Sequence, residues 1–274
     1  TWYDAVGRMA AQVQYGSNGP AHLSTAADGR VLSVPAAPPA VNSSDEYQVQ
    51  TVAYDLAGRL VTRIDNLGRE KRTIFDALGR QERVVEHLVD GQAGEGEPSD
   101  TDRITEFIFD RRGRLATLRA RNPQGAGQGV QNQDTRYAYT DPVNASQVTH
   151  TVYPDSTSVL TAQADGSWKV VSGTDHITET FDRMGRKTKT IDQRGVVRNF
   201  GFDGSGRLSS ESVTSLPAGV DATVRRVTWS YDELNRATSV KSYTAASGGT
   251  LVCEVRTTYD AWGNQTMSAQ AQKR

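Results

Sequence analysis

Cysteine is almost absent from this sequence: Cys253 is the single one among 274 residues. One thiol cannot form an intrachain disulfide, so the small, disulfide-stapled class of secreted domain is excluded. The sequence also lacks any apolar run near the roughly 18 residues that a transmembrane helix needs, so we expect no membrane span in this segment. The length still allows a sizeable core and one or two folded domains.

A basic excess is missing as well. The chain carries 31 Lys and Arg against 32 Asp and Glu, a formal net charge of -1. A protein that binds nucleic acid normally needs surplus positive charge to neutralise phosphates, so nucleic acid is not expected as a partner. The first residues, Thr1-Trp2-Tyr3-Asp4, carry no initiator Met and no signal-peptide features. We therefore expect a piece of a larger, processed protein.

A repeat of the form aromatic-Asp-x-x-Gly-Arg runs along the chain. We count ten copies, which begin at Tyr3, Tyr54, Ile64, Phe75, Phe109, Phe181, Ile191, Phe202, Tyr231 and Tyr259. The copies at Ile64 and Ile191 have an aliphatic lead, and those at Ile191, Tyr231 and Tyr259 are degenerate at Gly or Arg. Ile64 follows Tyr54 by 10 residues and Phe75 follows Ile64 by 11, so two half-units make a period of 21. Such a repeat indicates structural units that cover one another's faces.

The chemistry of one copy predicts a β-hairpin turn. Asp suits the first turn position, where its carboxylate accepts backbone N–H groups two residues on. The variable middle residues fit a type I turn, and Gly then fits a position with positive φ. Asn235 replaces this Gly in one copy, and Asn is the other residue that tolerates the same conformation. A type I turn followed by a left-handed residue and a bulge is a common hairpin connection.

The segments between the turns alternate with a period of two and are rich in β-branched and aromatic residues, which predicts strands. The expected fold class is all-β: a repeat strip of antiparallel β-hairpins. That this strip curls into part of a shell or a β-solenoid-like wall is what the resemblance to a repeat family, given below, implies. We expect a single repeat region over residues 1–274, with loop insertions near 15–46, 86–104 and 121–135. Asp28-Gly29-Arg30-Val31-Leu32, inside the first insertion, resembles a worn copy.

No constellation for catalysis, metal binding or cofactor binding stands out. His150 and His176 lie far apart in the sequence, and Gly204-Ser205-Gly206 is better explained as a repeat turn than as a nucleophile elbow. One Cys and scattered His give no zinc spacing, and no twelve-residue calcium loop closes with a Glu. The glycine-rich stretches are flanked by acids or polar residues, so no phosphate loop is expected. We predict no catalytic residues, no metal and no cofactor.

Two residue types in the repeat allow both a structural and a functional interpretation. The recurring Arg either forms a ladder facing a ligand or pairs with the turn Asp of its own or the next hairpin; the equal counts of acids and bases favour pairing. The repeat aromatics either pack hairpin on hairpin, which is favoured, or stack on sugars. Tyr137 and Tyr139 lie two apart on one strand face and outside a clean repeat, so they are the predicted carbohydrate-contact residues.

The copies resemble the RHS/YD-repeat family, whose signature is Tyr-Asp-x-x-Gly-Arg at a period of about 21 residues. The resemblance extends from Tyr3 to Asn264. It implies a β-sheet strip that spirals into a hollow shell, which encloses a C-terminal toxic domain in bacterial toxins and carries adhesion modules in teneurins. The family's terminal Asp-Pro-x-Gly-type self-cleavage signature is not matched, because Asp141-Pro142-Val143-Asn144 lacks the Gly. An internal segment of such a protein is the expectation.

From these features we predict a non-enzymatic structural segment of a large exported or cell-surface protein, whose β-sheet wall encapsulates or displays a terminal toxin or adhesion domain. The expected partners are neighbouring repeats of the parent chain, an encapsulated cargo domain, and a glycan or cell-surface partner. Two alternatives stay open: a carbohydrate- or cell-surface-binding module, and a self-assembling extracellular filament subunit. Exposed end strands would favour assembly.

Overall fold

The computed structural model describes residues 1–15, 24–25, 31–33, 37–38, 47–88, 102–121, 132–140 and 147–272. Every regular element in these ranges is a β-strand, as the sequence predicts, and twenty of the described strands belong to one hydrogen-bonded sheet. The chain divides into two units, residues 1–109 with 117–134 and residues 110–116 with 135–274. No helix in the described ranges is long and apolar enough to cross a membrane.

The first unit is built from antiparallel neighbours in chain order. Its strands are β1 Trp2–Tyr3, β2 Met9–Tyr15, β3 Ser24–Thr25, β4 Val31–Ser33, β5 Tyr47–Tyr54, β6 Leu60–Ile64, β7 Glu70–Phe75, β8 Gln81–Leu88 and β9 Arg103–Phe109. The order across the sheet is β1, β2, β5, β6, β7, β8, β9. Strands β3 and β4 pair with each other in a separate ladder, as a hairpin inserted between β2 and β5. The connecting residues 26–30, which hold most of the suspected worn copy, lie outside the described residues.

Strands β10 Leu115–Ala120 and β11 Gln133–Thr140 contribute residues to both units. The second unit continues with β12 Gln147–Val152, β13 Val159–Ala162, β14 Trp168–Ser172, β15 Ile177–Phe181, β16 Lys187–Ile191, β17 Val197–Phe202, β18 Leu208–Ser215, β19 Arg226–Tyr231, β20 Ala237–Tyr243, β21 Leu251–Tyr259 and β22 Gln265–Gln272. The ladder runs β11, β12, β15 and then in chain order to β22.

One hairpin of the second unit leaves this order. Strands β13 and β14 pair with each other, while β12 bypasses them and pairs directly with β15. The hairpin returns to the sheet through a parallel bridge between Trp168 of β14 and Ala138 of β11. This bridge departs from the predicted purely antiparallel arrangement, because an inserted hairpin can meet the sheet from a second direction.

The predicted insertions near 15–46, 86–104 and 121–135 fall largely on residues 16–46, 89–101 and 122–131, of which the structure describes only short pieces. Buried apolar residues are few in the described ranges. The largest cluster joins Val85 and Leu88 of β8 with Ile104 of β9, and Val85 lies directly opposite Ile104 across the strand pair. Because so little apolar surface is buried, contacts between neighbouring hairpins must contribute much of the stability of the fold.

Candidate functional site

The repeat turn has the geometry that its sequence predicts. In the copy that begins at Phe202, the Gly206 N–H donates to the Asp203 carbonyl at 2.9 Å, and the Asp203 N–H donates to the Arg207 carbonyl at 2.9 Å. Gly206 has φ of +81°, and the register shifts by one residue between Gly201 and Phe202. These features define a β-turn with a left-handed residue and a bulge. Asn235 takes the same conformation with φ of +64°, so both predictions for this position are confirmed.

The turn Asp binds its own Arg, as the structural interpretation of the Arg predicts. Asp203 Oδ1 accepts the backbone N–H groups of Ser205 and Arg207 at 3.0 and 2.9 Å, and Asp203 Oδ2 accepts the Arg207 Nε–H at 2.7 Å. The N–H of Arg207, followed by its guanidinium, holds the pKa of Asp203 below its ordinary value, against an opposing effect of desolvation. The same ion pair is formed by Arg8, Arg59, Arg69, Arg80, Arg114, Arg186 and Arg236.

A face of the same guanidinium covers an aromatic ring of a following hairpin, which in all pairs but Arg114–Tyr139 is the lead aromatic of a copy. Arg207 lies 4.6 Å from the ring centroid of Tyr231, and Arg59 lies 4.4 Å from that of Phe75. We call the set of such pairs the arginine–aromatic ladder. Its further members in the described residues are Arg8 with Tyr54, Arg80 with Phe109, Arg114 with Tyr139, Arg186 with Phe202 and Arg236 with Tyr259, at 4.0 to 4.5 Å. The repeat aromatics therefore pack between hairpins, as the favoured interpretation predicts, and the group that they contact there is an Arg guanidinium.

In three ladder members that are Tyr, namely Tyr139, Tyr231 and Tyr259, the hydroxyl adds a second contact. Tyr231 donates to the Leu208 carbonyl at 2.7 Å, and Tyr259 donates to the Ala237 carbonyl at 3.0 Å. In both cases the acceptor is the residue that follows the stacked Arg. The guanidinium also contacts the following turn directly. Arg207 Nη1 donates to the Asp232 carbonyl at 3.1 Å and to Asn235 Oδ1 at 2.8 Å. Each ladder step therefore ties two consecutive turns together.

The half-unit copies with an aliphatic lead lie at the opposite edge of the sheet. Successive turns of antiparallel strands alternate edges, so the β6–β7 turn that begins at Asp65 faces away from the turns that begin at Asp55 and Asp76. Arg69 keeps its ion pair with Asp65, but no aromatic ring stacks on it in the described part of the chain. Val196 takes the Arg position in the other half-unit copy. The ladder thus follows one edge of the sheet and skips the half-unit copies.

One turn and its associated arginine–aromatic pair escaped the sequence motif, and a further such pair, Arg226 with Tyr243 at 4.3 Å, involves no copy of it. Gly166 donates its N–H to the Gln163 carbonyl at 3.0 Å and has φ of +82°, which is the repeat turn without its leading Asp. Trp168 follows this turn, and the Arg136 guanidinium lies 4.7 Å from its ring. The signals available in the sequence were Gly166 and an aromatic shortly after it, but the missing Asp concealed the copy.

The two predicted carbohydrate-contact residues have different surroundings. Tyr139 is a ladder member: its ring lies 4.5 Å from the Arg114 guanidinium and its hydroxyl donates to the Leu115 carbonyl at 2.8 Å. Burial raises its pKa. Tyr137 is partly buried, and burial followed by the nearby Tyr153 raises its pKa. That this pair contacts sugars stays a prediction, with one face of the Tyr139 ring already occupied.

His150 and His176 are brought together, which their separation in the sequence did not indicate. Their ring centroids are 5.0 Å apart and the rings are inclined at 80°. Because β12 bypasses the inserted hairpin and pairs with β15, His150 becomes a neighbour of Thr178 and shares a hydrogen bond of 3.0 Å with its hydroxyl. His176 shares one of 3.0 Å with the Ser158 hydroxyl, and both residues are buried. The interpretation of these histidines as distant is therefore wrong.

No group of three or more His, Cys, Asp or Glu side chains suited to a metal ion occurs within the described ranges. The Ser158–His176 contact resembles a nucleophile–base pair, but Ser158 is 8% exposed and His176 9% exposed, so a substrate has little access to either. The turn carboxylates accept backbone N–H groups, and most of them also bind an Arg, whereas Asp260 binds the Asn264 amide instead. The arrangement holds hairpins together and offers no open reactive group among these residues.

No protein-family model matches the sequence, and no curated protein matches it. Solved structures similar to it include TcdB2-TccC3 without its hypervariable C-terminal region, at 16% identity and a TM-score of 0.25, covering 98% of this chain and 17% of that one. TcdB2-TccC3 itself has 15% identity and a TM-score of 0.24, again with 98% and 17% covered. The Photorhabdus luminescens Tc holotoxin pore with a mutated TccC3 has 14% identity, a TM-score of 0.22, and 97% and 16% covered. This chain spans about one sixth of the length of those chains.

Proposed function

We propose that this chain is a non-enzymatic wall segment of a large exported or cell-surface RHS/YD-repeat protein, and that the wall encloses or displays a terminal toxin or adhesion domain. The observation that carries the proposal is the arginine–aromatic ladder, which couples each full repeat to the next at one edge of the sheet. A ligand-binding module would have no need to repeat one internal contact along its length.

The arginine–aromatic ladder explains how neighbouring hairpins of such a wall stay attached to one another. Backbone hydrogen bonds hold neighbouring strands together, and each ladder step adds a cation held between a carboxylate and an aromatic face. A cation–π contact contributes on the order of 0.5–1 kcal/mol at exposed sites and about 2 kcal/mol when desolvated. Small terms of this kind, repeated along a strip, suit an extended wall that lacks a large apolar core, because each hairpin is stabilised by its neighbours.

The absence of catalysis is part of the proposal. It is supported by the contacts of the side chains that could react, because these side chains bind one another. Asp110, the turn carboxylate with the most buried side chain, has 0% exposure and is bound by Arg114 at 2.8 Å. The Ser158 hydroxyl and the His176 ring are similarly inaccessible. An enzyme would leave at least one such group open to a substrate.

The test is cryo-electron microscopy of the full parent polypeptide, with no symmetry or size imposed, combined with limited proteolysis of the same sample. The proposal predicts that this segment continues into further hairpins that enclose a volume, and that an enclosed domain resists protease until the wall is opened. An open filament in which sheet edges pair between molecules would overturn it in favour of assembly or adhesion. Protease accessibility of the segment on intact cells tests the proposed exported location.

A further inference from the structure

The inserted hairpin β13–β14 is fastened to the second unit at its base. Ser156 donates its hydroxyl proton to the Asp175 carbonyl, and the Thr157 N–H donates to Asp175 Oδ2 at 2.8 Å. The Gln193 amide donates to Asp175 Oδ1 at 3.0 Å. Gly173 passes so close that a Cβ there would lie 2.8 Å from the Ser158 Cα. The two ends of the hairpin are therefore held side by side.

His176 connects this base to the sheet. One side of its environment is the Ser158 hydroxyl at 3.0 Å, and another is the ring of His150 on β12, with centroids 5.0 Å apart. The sheet face on which His150 lies is covered here, because Ala138 and Val152 on the same face are 2% and 3% exposed. The Trp168 bridge to Ala138 places β14 beside β11, and Arg136, which shares the face of Ala138 and Val152, stacks on the Trp168 ring.

The close approach of the two rings favours neutral imidazoles. A neutral ring has one N–H donor and one acceptor nitrogen, whereas a protonated ring has two donors and a positive charge. A charge here would be partly desolvated and would lie beside a second ring that titrates in the same range. When both rings are charged, they repel each other at close range.

The surrounding charges offer little compensation. Asp175 faces His176, but its oxygens already accept from Thr157 and Gln193. Arg136 of β11 shares the face of His150 and is stacked on Trp168 of β14. On β15 the side chain facing His150 is the uncharged Thr178, while Glu179 points to the other face and pairs with Lys187. Lys169 of β14 is exposed.

We propose that the His150–His176 contact is an acid-sensitive clasp, which holds the β13–β14 hairpin over the sheet at neutral pH and releases it when the pair is protonated. The clasp is a property of this unit whether or not the chain serves as a shell wall. Its consequence is a reversible uncovering of the face that bears Ala138, His150 and Val152 under mildly acidic conditions.

The direction of the effect follows from burial. Desolvation, and then the charge of His176, lowers the pKa of His150 below its ordinary value of 6.5. Desolvation lowers the pKa of His176 too, although Asp175 opposes the change. A histidine with a depressed pKa in the folded state stabilises that state fully above about pH 6.5 and loses this contribution as the pH falls through its folded value. The hairpin should accordingly loosen below about pH 6.5.

Hydrogen–deuterium exchange of the full chain at pH 7.5 and pH 5.0, corrected for intrinsic exchange rates, tests the clasp. We expect amide protection in residues 156–176 to fall at pH 5.0, because protonation of the desolvated, adjacent rings favours the open hairpin. Protection in β19–β21 should change much less, because the ladder carboxylates remain charged at pH 5.0. Equal loss in both regions, or no loss in 156–176, would overturn the proposal.

Two variants distinguish titration of the two histidine rings from other effects of low pH on the chain. His150→Phe keeps an aromatic ring without a titratable group, and His176→Gln keeps a hydrogen-bonding partner for Ser158. In the double variant the difference between pH 7.5 and 5.0 in residues 156–176 should shrink to that of β19–β21. If the variant does not fold, NMR titration of the unsubstituted chain decides: pKa values of both rings below 6.5 support the clasp, and values at or above 6.5 contradict it.

Discussion

The Arg207 guanidinium lies 4.6 Å from the centroid of the Tyr231 ring, and the Tyr231 hydroxyl donates to the carbonyl of Leu208, the residue next to that Arg, at 2.7 Å. One aromatic side chain is thus held at its face and at its tip by the turn of the preceding repeat. Since Arg207 is also bound by Asp203 of its own turn, a single step links a carboxylate, a cation and a ring across two hairpins.

Because of the hydroxyl contact, we expect that removing one oxygen atom from Tyr231 lowers the stability of the fold. Tyr231→Phe keeps the stacked ring and loses the hydrogen bond to the Leu208 carbonyl, so the free energy of unfolding should fall by about 0.5–1.5 kcal/mol. Urea denaturation followed by tryptophan fluorescence measures the change. Phe202, which holds the same ladder position without a hydroxyl, shows that the ring alone is compatible with the step. An unchanged stability would mean that the hydroxyl contact contributes nothing.

The two edges of the sheet should respond differently to the loss of Arg. Arg59→Ala removes an ion pair and a stack on Phe75, whereas Arg69→Ala removes an ion pair at the opposite edge. We expect Arg59→Ala to be more destabilising by about 0.5–2 kcal/mol, which is the range of a cation–π contact. The two variants are matched in residue type and in the Asp-x-x-Gly-Arg pattern of their turns, although the middle residues differ. Equal effects in thermal and urea denaturation would refute the distinction between the edges.

The left-handed position of the turn makes a backbone prediction within one copy. Gly206→Ala puts a Cβ on a residue with φ of +81°, which should cost about 1–2 kcal/mol. Gly204→Ala, two residues earlier, meets no atom within 4 Å and has no positive φ, so it should be neutral or slightly stabilising. Comparison of their midpoints of denaturation checks the difference. Equal stability of the two variants would argue against the turn described here.

Acid should weaken the ladder edge. The backbone N–H of Arg207 lowers the pKa of Asp203, and that of Arg236 lowers the pKa of Asp232, below the ordinary value of 3.8. A carboxylate with a depressed folded-state pKa stabilises the fold above about pH 3.8 and loses that contribution as the pH falls through its folded value. The free energy of unfolding, measured between pH 5 and pH 2.5, should therefore decrease below about pH 4.

Asp203→Asn provides the control for this acid effect. The variant should be less stable than the original chain at pH 7 and should lose less of its remaining stability between pH 5 and pH 2.5, because one titrating group has been removed. An identical pH dependence in the two proteins would show that the turn carboxylates are not responsible. The range below pH 5 also keeps this effect apart from the histidine clasp.

The turns were predictable because their determinants are local. Asp at the first position, Gly at the fourth and the substitution of Asn235 for Gly each specify a backbone conformation within a few residues. The pairing of Arg with its own Asp is local in the same sense. The Gln163–Gly166 turn was missed because recognition relied on the Asp side chain, although the left-handed Gly preserved the backbone geometry.

The contacts between hairpins could not be predicted in the same way. That Arg186 covers the ring of Phe202 depends on which edge each turn occupies and on the separation of strands, and neither is specified by a single copy. The contact between His150 and His176 forms because β12 bypasses an inserted hairpin and pairs with β15. Such pairings are set by the assembled sheet, so periodicity along the chain does not reveal them.

A double-mutant cycle on Arg186 and Phe202 measures whether the stacked Arg and ring stabilise each other across hairpins. Phe202 has no hydroxyl, so the cycle isolates the stack, and the loss of the Arg186–Asp182 ion pair cancels because it occurs with and without the ring. Arg186→Met, Phe202→Leu and the double variant should give a coupling free energy of about 0.5–2 kcal/mol. Strictly additive effects, with a coupling indistinguishable from zero, would contradict the ladder as the element that joins the repeats.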